Sequence, residues 1–305
     1  MSSGAESRTA QSPSLIDLRW LALATAVVAT VEMALLRVLT RTVIHIPGLD
    51  WFRSPYRIVT EAGRFALYLA AVLLVVLMVL AAVRAWDRGG RPVTVVLLGF
   101  LVVAAGVRLG IVGETISGTA TAVLVLAAVA APPGWNTARR LPLIAMAVAF
   151  AITAAVDVLG SAAPGVSLPT AALIQGSEAL ALLGATSLAL LAPRPAVRRA
   201  VLAGVAVAVL VAAALMRAEA TTEILLLWNL GVAGYFHPLF YAAACGALTY
   251  AGVRSHLAGD DAAVAGVLLV LAGGIGLHST LQSGELIMGL SLLTFPSLFR
   301  GPVNP

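Results

Sequence analysis

Apolar residues fall in long, nearly unbroken runs along this chain, separated by short clusters of arginine, proline, glycine and aspartate. A helix that crosses a hydrocarbon layer of about 30 Å needs about 20 apolar residues at 1.5 Å each. The runs that qualify, with edges soft by a few residues, are 18–39, 61–85, 92–109, 114–132, 141–160, 168–192, 199–217, 237–254, 262–279 and 284–299. The fold class this predicts is all-α: a polytopic transmembrane helical bundle of about ten helices. Small residues recur throughout the runs and suit close helix packing in lipid, where no hydrophobic force drives helices together.

Two stretches depart from the pattern. "RTVIHIPGLDWFRSPYR" mixes Trp51, Phe52 and Tyr56 with arginines and prolines, and predicts a surface-lying segment near 41–58. "EATTEILLLWNLGVAGYFHP", joined to the run after it, would make a helix too long for one span. Pro238 suits a first helical turn, and Gly231 and Gly234 weaken any helix before it. The chain is therefore divided there, with 222–236 interfacial or re-entrant and a helix starting near His237. Residues 1–15 are polar and read as a disordered tail, 16–299 as a single transmembrane domain, and 300–305 as a short C-terminal tail. The first apolar run exceeds 20 residues without a small-residue cleavage site, so it reads as a retained helix rather than a signal peptide.

Composition strengthens the membrane reading. Of 305 residues, 60% are hydrophobic and 11% charged, where a soluble domain carries about 25% charged residues. Charge then orients the chain. All 19 basic residues are arginine, for a net charge of +5. They concentrate in "RAWDRGGRP", "PPGWNTARRLP", "APRPAVRR" and "GVRSHLAGDD", with Arg8 and Arg19 at one terminus and Arg300 at the other. Cytoplasmic loops collect arginine, so both the N- and C-termini are expected in the cytoplasm and the chain in the cell membrane as a multi-pass protein. The arginines of the 41–58 segment are the exception. This charge suits an anionic bilayer surface as partner, not nucleic acid, because no basic patch is interleaved with exposed aromatics. Any protein partner or oligomer is left open by the sequence.

The single cysteine, Cys245, excludes an internal disulfide and a multi-cysteine metal site. There is no GxxxxGK[ST], HExxH, CxxC or GxSxG, which weighs against an enzyme. In length, helix count and orientation the chain resembles ten-helix drug/metabolite-type permeases, a likeness of architecture that no shared motif carries.

The remaining signal is the ionisable residues. "AAGVRLGIVGE", "AALMRAEATTE" and "GIGLHSTLQSGE" each close one helix on a basic or titratable residue and open the next on a glutamate. Helix-dipole complementarity accounts for much of this. Yet Arg37, Arg64, Arg108 and Arg217, with Glu32, Glu61, Glu114, Glu223 and Glu285, all fall near the expected outer ends. Ionisable groups at membrane depth are costly and face a cavity or one another. Glu32 and Glu178 read as the deeper members, Glu285 as a helix-mouth residue. A carboxyl group as deep as Glu178 pairs with an arginine or stays protonated, because desolvation penalises its charged form. The resulting expectation is a secondary transporter or permease with an outward-facing polar pocket for a small anionic or amphipathic substrate, its arginines binding and its carboxylates coupling protons. His237 and His278 count to nearly equal heights on adjacent helices, which supports an alternative: a redox or metal-handling subunit with haem or a metal ion held between them. A third reading is an accessory subunit that docks a partner through its outer segments.

Overall fold

The computed structural model describes residues 18–39, 53–111, 180, 182–191, 197–219, 236–274, 280–295 and 299, with shorter pieces between 141 and 155. Among these residues every regular element is helical and there is no strand. Helix α1 is Leu18–Glu32, continued by a π-helical stretch at Met33–Leu39. Next come α2, Arg53–Asp87, and α3, Arg91–Arg108. The later helices are α4, Arg198–Glu219; α5, Phe236–Leu257; α6, Asp261–Gly274; and α7, Thr280–Thr294. Residues 182–190 form a further helical stretch.

Among the described residues, three segments are long and apolar enough to cross a membrane: Leu18–Leu36, Pro55–Asp87 and Arg91–Arg108. Of the surface segment expected near 41–58, residues 53–58 are the first turns of α2, and 41–52 lie outside the described residues. Pro55 does not interrupt α2, because a first-turn proline lacks only an N–H that has no helical partner anyway. The segment expected at 222–236 is outside the described residues apart from Phe236, which starts α5.

The packing sorts side chains by size rather than polarity. Helix α2 buries Ala66, Ala70, Leu74, Leu77, Met78, Ala81, Ala82 and Ala85 on one face, mostly alanine. Its other face exposes Phe65, Tyr68, Val72, Val76, Val79, Val83 and Trp86. Helix α1 repeats this, with Ala22, Thr25, Ala26 and Ala29 inside and Trp20, Val27 and Val31 outside. In water the bulky apolar groups would be the ones hidden. Against lipid tails their exposure costs nothing, and the alanine face lets helices close together.

Two close pairs organise the described bundle. Helices α4 and α5 meet at Gly204 and Gly246, where a Cβ added to Gly246 would lie 2.6 Å from the Gly204 carbonyl oxygen. Helices α6 and α7 meet along Gly266, Gly273 and Gly289, and Gly289 would place a Cβ 2.8 Å from the Gly266 oxygen. Helix α6 also packs on α1, and α1 on α2. Helix α7 is central, with Gly284 through Leu292 all buried.

Two tight turns close helix pairs. The α2–α3 turn uses Gly89 at φ 74°, in the left-handed region where glycine has no Cβ penalty, and Pro92 follows within the first turn of α3. Thr94 Oγ1 donates to the Ala82 carbonyl at 3.0 Å and ties the two helices near this turn. In the α5–α6 turn, Asp260 Oδ1 accepts from the Ala263 N–H at 3.2 Å, an N-cap that satisfies an otherwise unpaired donor. Two buried hydroxyls fold back on their own helix: Thr25 donates to the Leu21 carbonyl and Ser291 to that of Ile287.

Candidate functional site

Helix α2 supplies a depth scale. From Phe65 to Val83 it carries no charge and exposes large apolar side chains, a band of about 27 Å at 1.5 Å per residue. That matches a hydrocarbon core of about 30 Å. Leu74 is the midpoint of the band. Arg84, Trp86 and Arg88 follow at one edge, and Arg91 lies over the Trp86 ring at 5.7 Å, as suits an interface where an aromatic ring and a cation meet water together. Beyond the other edge, Arg64 and Glu61 form an exposed ion pair at 3.2 Å. The first turns of α2 reach further out, with Arg57 and Ile58 exposed.

On this scale the carboxylates separate. Glu32 is 2% exposed and closes α1 where the helix widens into its π stretch. Leu36, one turn on, fills the space beside Gly63, where an added Cβ would be 2.6 Å from Leu36 Cδ2. Gly63 lies just outside the band, so Glu32 sits just inside its edge. Glu285 is 1% exposed. Its neighbour Gly284 abuts Phe100 and Leu74, with an added Cβ 2.9 Å from Phe100 Cε1 and 3.0 Å from Leu74 Cδ2. Leu74 is the band's midpoint and Phe100 lies halfway along α3, so Glu285 stands at mid-depth.

The order of depth is therefore the reverse of the expectation that made Glu32 deep and Glu285 a helix-mouth residue. The reason is local. The chain is already helical at Thr280, which places Glu285 inside α7 rather than at its mouth. Gly273 then seats it: an added Cβ there would meet the Gln282 oxygen and the Leu286 nitrogen, both at 2.6 Å, and Glu285 Cβ at 3.1 Å. Glu32 and Glu285 belong to α1 and α7, which both pack on α6, as does α5.

The arginines expected beside them are placed differently. Arg64 is exposed and tied to Glu61. Arg108 is exposed in the last turn of α3, where a cation complements the helix dipole. Arg37, Arg217 and His237 lie on described helices, but their side chains are outside the described residues, as are Glu114, Glu178, Glu223 and His278 altogether. Among the described residues no group of histidine, cysteine, aspartate and glutamate side chains could hold a metal ion.

One buried ionisable group had no place in the sequence reading beyond its loop charge. Arg254, near the end of α5, is buried. Its Nη2 donates to the Leu190 carbonyl at 3.3 Å, at the C-terminal end of the 182–190 stretch, and its guanidinium lies 5.1 Å over the Tyr250 ring. A cation on a helix C-terminus satisfies carbonyls that have no partner within the helix. "TYAGVR", with an aromatic four residues before the arginine, was the available signal.

Comparison of the chain with known protein families, with curated proteins and with solved structures gave no match.

Proposed function

We propose that this chain is a multi-pass protein of the cell membrane, with about ten helices and both termini cytoplasmic, that works as a proton-coupled secondary transporter. Glu285 carries the reading: a carboxyl group at mid-depth on the central helix. Such a group is expensive there, and in transporters it marks an ion or substrate pathway. Glu32, near the band edge and on another helix packed on α6, supplies a second station for a proton. The two described carboxylates at membrane depth favour a proton or a cationic, amphipathic substrate at this site. An anionic substrate would rest on Arg37 and Arg217 and on Glu178 as the coupling group.

The test is uptake by proteoliposomes under a pH gradient, with a panel of amphipathic cations and organic anions as probes. Glu285→Gln is expected to abolish proton-linked uptake while keeping the thermal stability of the parent, and Glu285→Asp to retain part of it. Uptake indifferent to Glu285→Gln, or none with any probe, refutes the reading. The threading is checked by impermeant thiol reagents on intact cells. Cysteines at Arg88 and within 194–199 are expected to be shielded from outside, and labelling there overturns the orientation.

The exposed Arg57 and Ile58, on turns of α2 that stand beyond the apolar band, favour a second reading as an accessory subunit docked to a partner at this end. It predicts a co-purifying protein that is lost when both residues are replaced by serine.

A further inference from the structure

Helices α2 and α3 each turn one row of bulky apolar side chains outward. On α2 the row is Val72, Val76, Val79 and Val83, and it ends at Trp86. On α3 it begins at exposed Arg91 and continues through Val95, Leu98 and Val102. Steps of three and four residues keep each row on one face of its helix. The Arg91 guanidinium lies over the Trp86 ring at 5.7 Å, so the two rows meet at this pair and face the same side of the bundle there. From Val72 to Val83 the α2 row measures about 17 Å. The tails of one leaflet occupy about 15 Å, half of a hydrocarbon core. Valine is stiff at χ1, so a flexible chain lies against such a row at little cost in side-chain freedom.

The polar end of this surface is cationic. Residues 84–91 hold Arg84, Arg88 and Arg91 against one acid, Asp87. Arg88, Arg91 and Asp87 are exposed, and Arg84 is half-exposed. Among the described residues no carboxylate pairs with Arg91. Trp86 and Arg91 stand just beyond the apolar band, at the level of lipid esters and phosphates, where tryptophan rings collect. A cation stacked on such a ring meets anionic headgroups there. A zwitterionic headgroup would bring its own cation among three arginines, whereas one charged only through its phosphate would not.

We propose that the α2–α3 hairpin holds one anionic phospholipid, with its phosphate on Arg91, its ester region at Trp86 and its tails along the two rows. Arg84 and Arg88 raise the local positive potential, and Asp87 lowers it. This rests on the chain spanning a bilayer, as in the reading above, but not on transport, on orientation or on Glu285.

The test uses the full chain in bilayers of equal parts phosphatidylcholine and phosphatidylglycerol. Bromine, which quenches tryptophan fluorescence, is carried on the tails of one lipid or the other, so the surface charge is the same in both. Subtracting the emission of Trp86→Phe isolates Trp86 among the five tryptophans. One arginine at an anionic surface gives about a fivefold preference. Brominated phosphatidylglycerol is therefore expected to quench Trp86 with about that preference, lost in Arg91→Gln and kept in Arg91→Lys. No preference in the parent means ordinary lipid contact, and a preference that survives Arg91→Gln means that the phosphate is held elsewhere. Either result overturns the proposal, as does loss in both Arg91 variants, which would make charge irrelevant. Trp20, exposed on α1 and isolated in the same way by Trp20→Phe, separates the remaining failures. Quenching of Trp20 but not of Trp86 by either lipid means that protein, such as a second copy, covers the hairpin. Quenching of neither sinks the membrane reading together with the site.

Discussion

Gly273→Ala is the sharpest test of the α6–α7 contact. The added methyl would lie 2.6 Å from the Gln282 oxygen and 2.6 Å from the Leu286 nitrogen. Comfortable contacts begin near 3.5 Å, so α7 must retreat by about 0.9 Å. Both obstructing atoms are backbone, and no rotamer change relieves them. Overpacking of this kind costs about 1–3 kcal/mol. Alanine returns about 0.5–1 kcal/mol through its better helix propensity. The net expectation is a loss of up to about 2.5 kcal/mol. Gly252→Ala is the internal control, because its added Cβ would meet only the Val267 side chain, with Cγ1 at 3.4 Å and Cβ at 4.0 Å. There the propensity gain should survive, stabilising by about 0.5–1 kcal/mol. The assay is thermal unfolding of both variants and the parent in one detergent, followed by loss of monodisperse elution. Gly252→Ala should melt at or above the parent and Gly273→Ala clearly below it. If Gly273→Ala melts as high as Gly252→Ala, α6 and α7 are not in backbone contact there, and the depth assigned to Glu285 loses its support.

Two further outcomes follow from single contacts. Thr94→Val keeps the side-chain shape and removes the donor to the Ala82 carbonyl, so it should cost about 0.5–1.5 kcal/mol, read as a lower melting temperature. Arg254→Ala removes both the Leu190 hydrogen bond and the ring contact with Tyr250, and should cost about 2–4 kcal/mol, whereas Arg254→Lys should recover only part of it. Equal melting of the two Arg254 variants would mean that guanidinium geometry is irrelevant at that helix end.

The ends of helices were readable where a physical signal marks them. "RAWDRGGRP" holds a left-handed glycine and then a first-turn proline, and α2 stops and α3 starts there. "HLAGDD" reads the same way, with Gly259 at φ 67° and Asp260 as cap. The start of α2 was misjudged because hydropathy reports contact with lipid, not helix length. Arg53 to Arg64 is helical beyond the apolar band, where polar and aromatic side chains meet water. Glu285 was legible as a costly charge but not as a deep one. Its depth depends on Gly273 and Gly284 approaching other helices, and those are tertiary facts. The size-sorted faces of α2 leave no hydropathy signal because every position in the run is apolar, and only the phase of alanine against valine distinguishes inside from outside.

The girdle on α2 also bears on where this protein can reside. Its exposed apolar stretch measures about 27 Å and ends in Trp86 on one side and in the Glu61–Arg64 pair on the other. A thicker, sterol-rich bilayer would submerge that pair or force the helix to compress its surroundings, at a fraction of a kcal/mol for each ångström of mismatch. The girdle fits a core of ordinary thickness, about 30 Å, and bilayers reconstituted from progressively longer acyl chains should lose the correctly folded form once their core outgrows it.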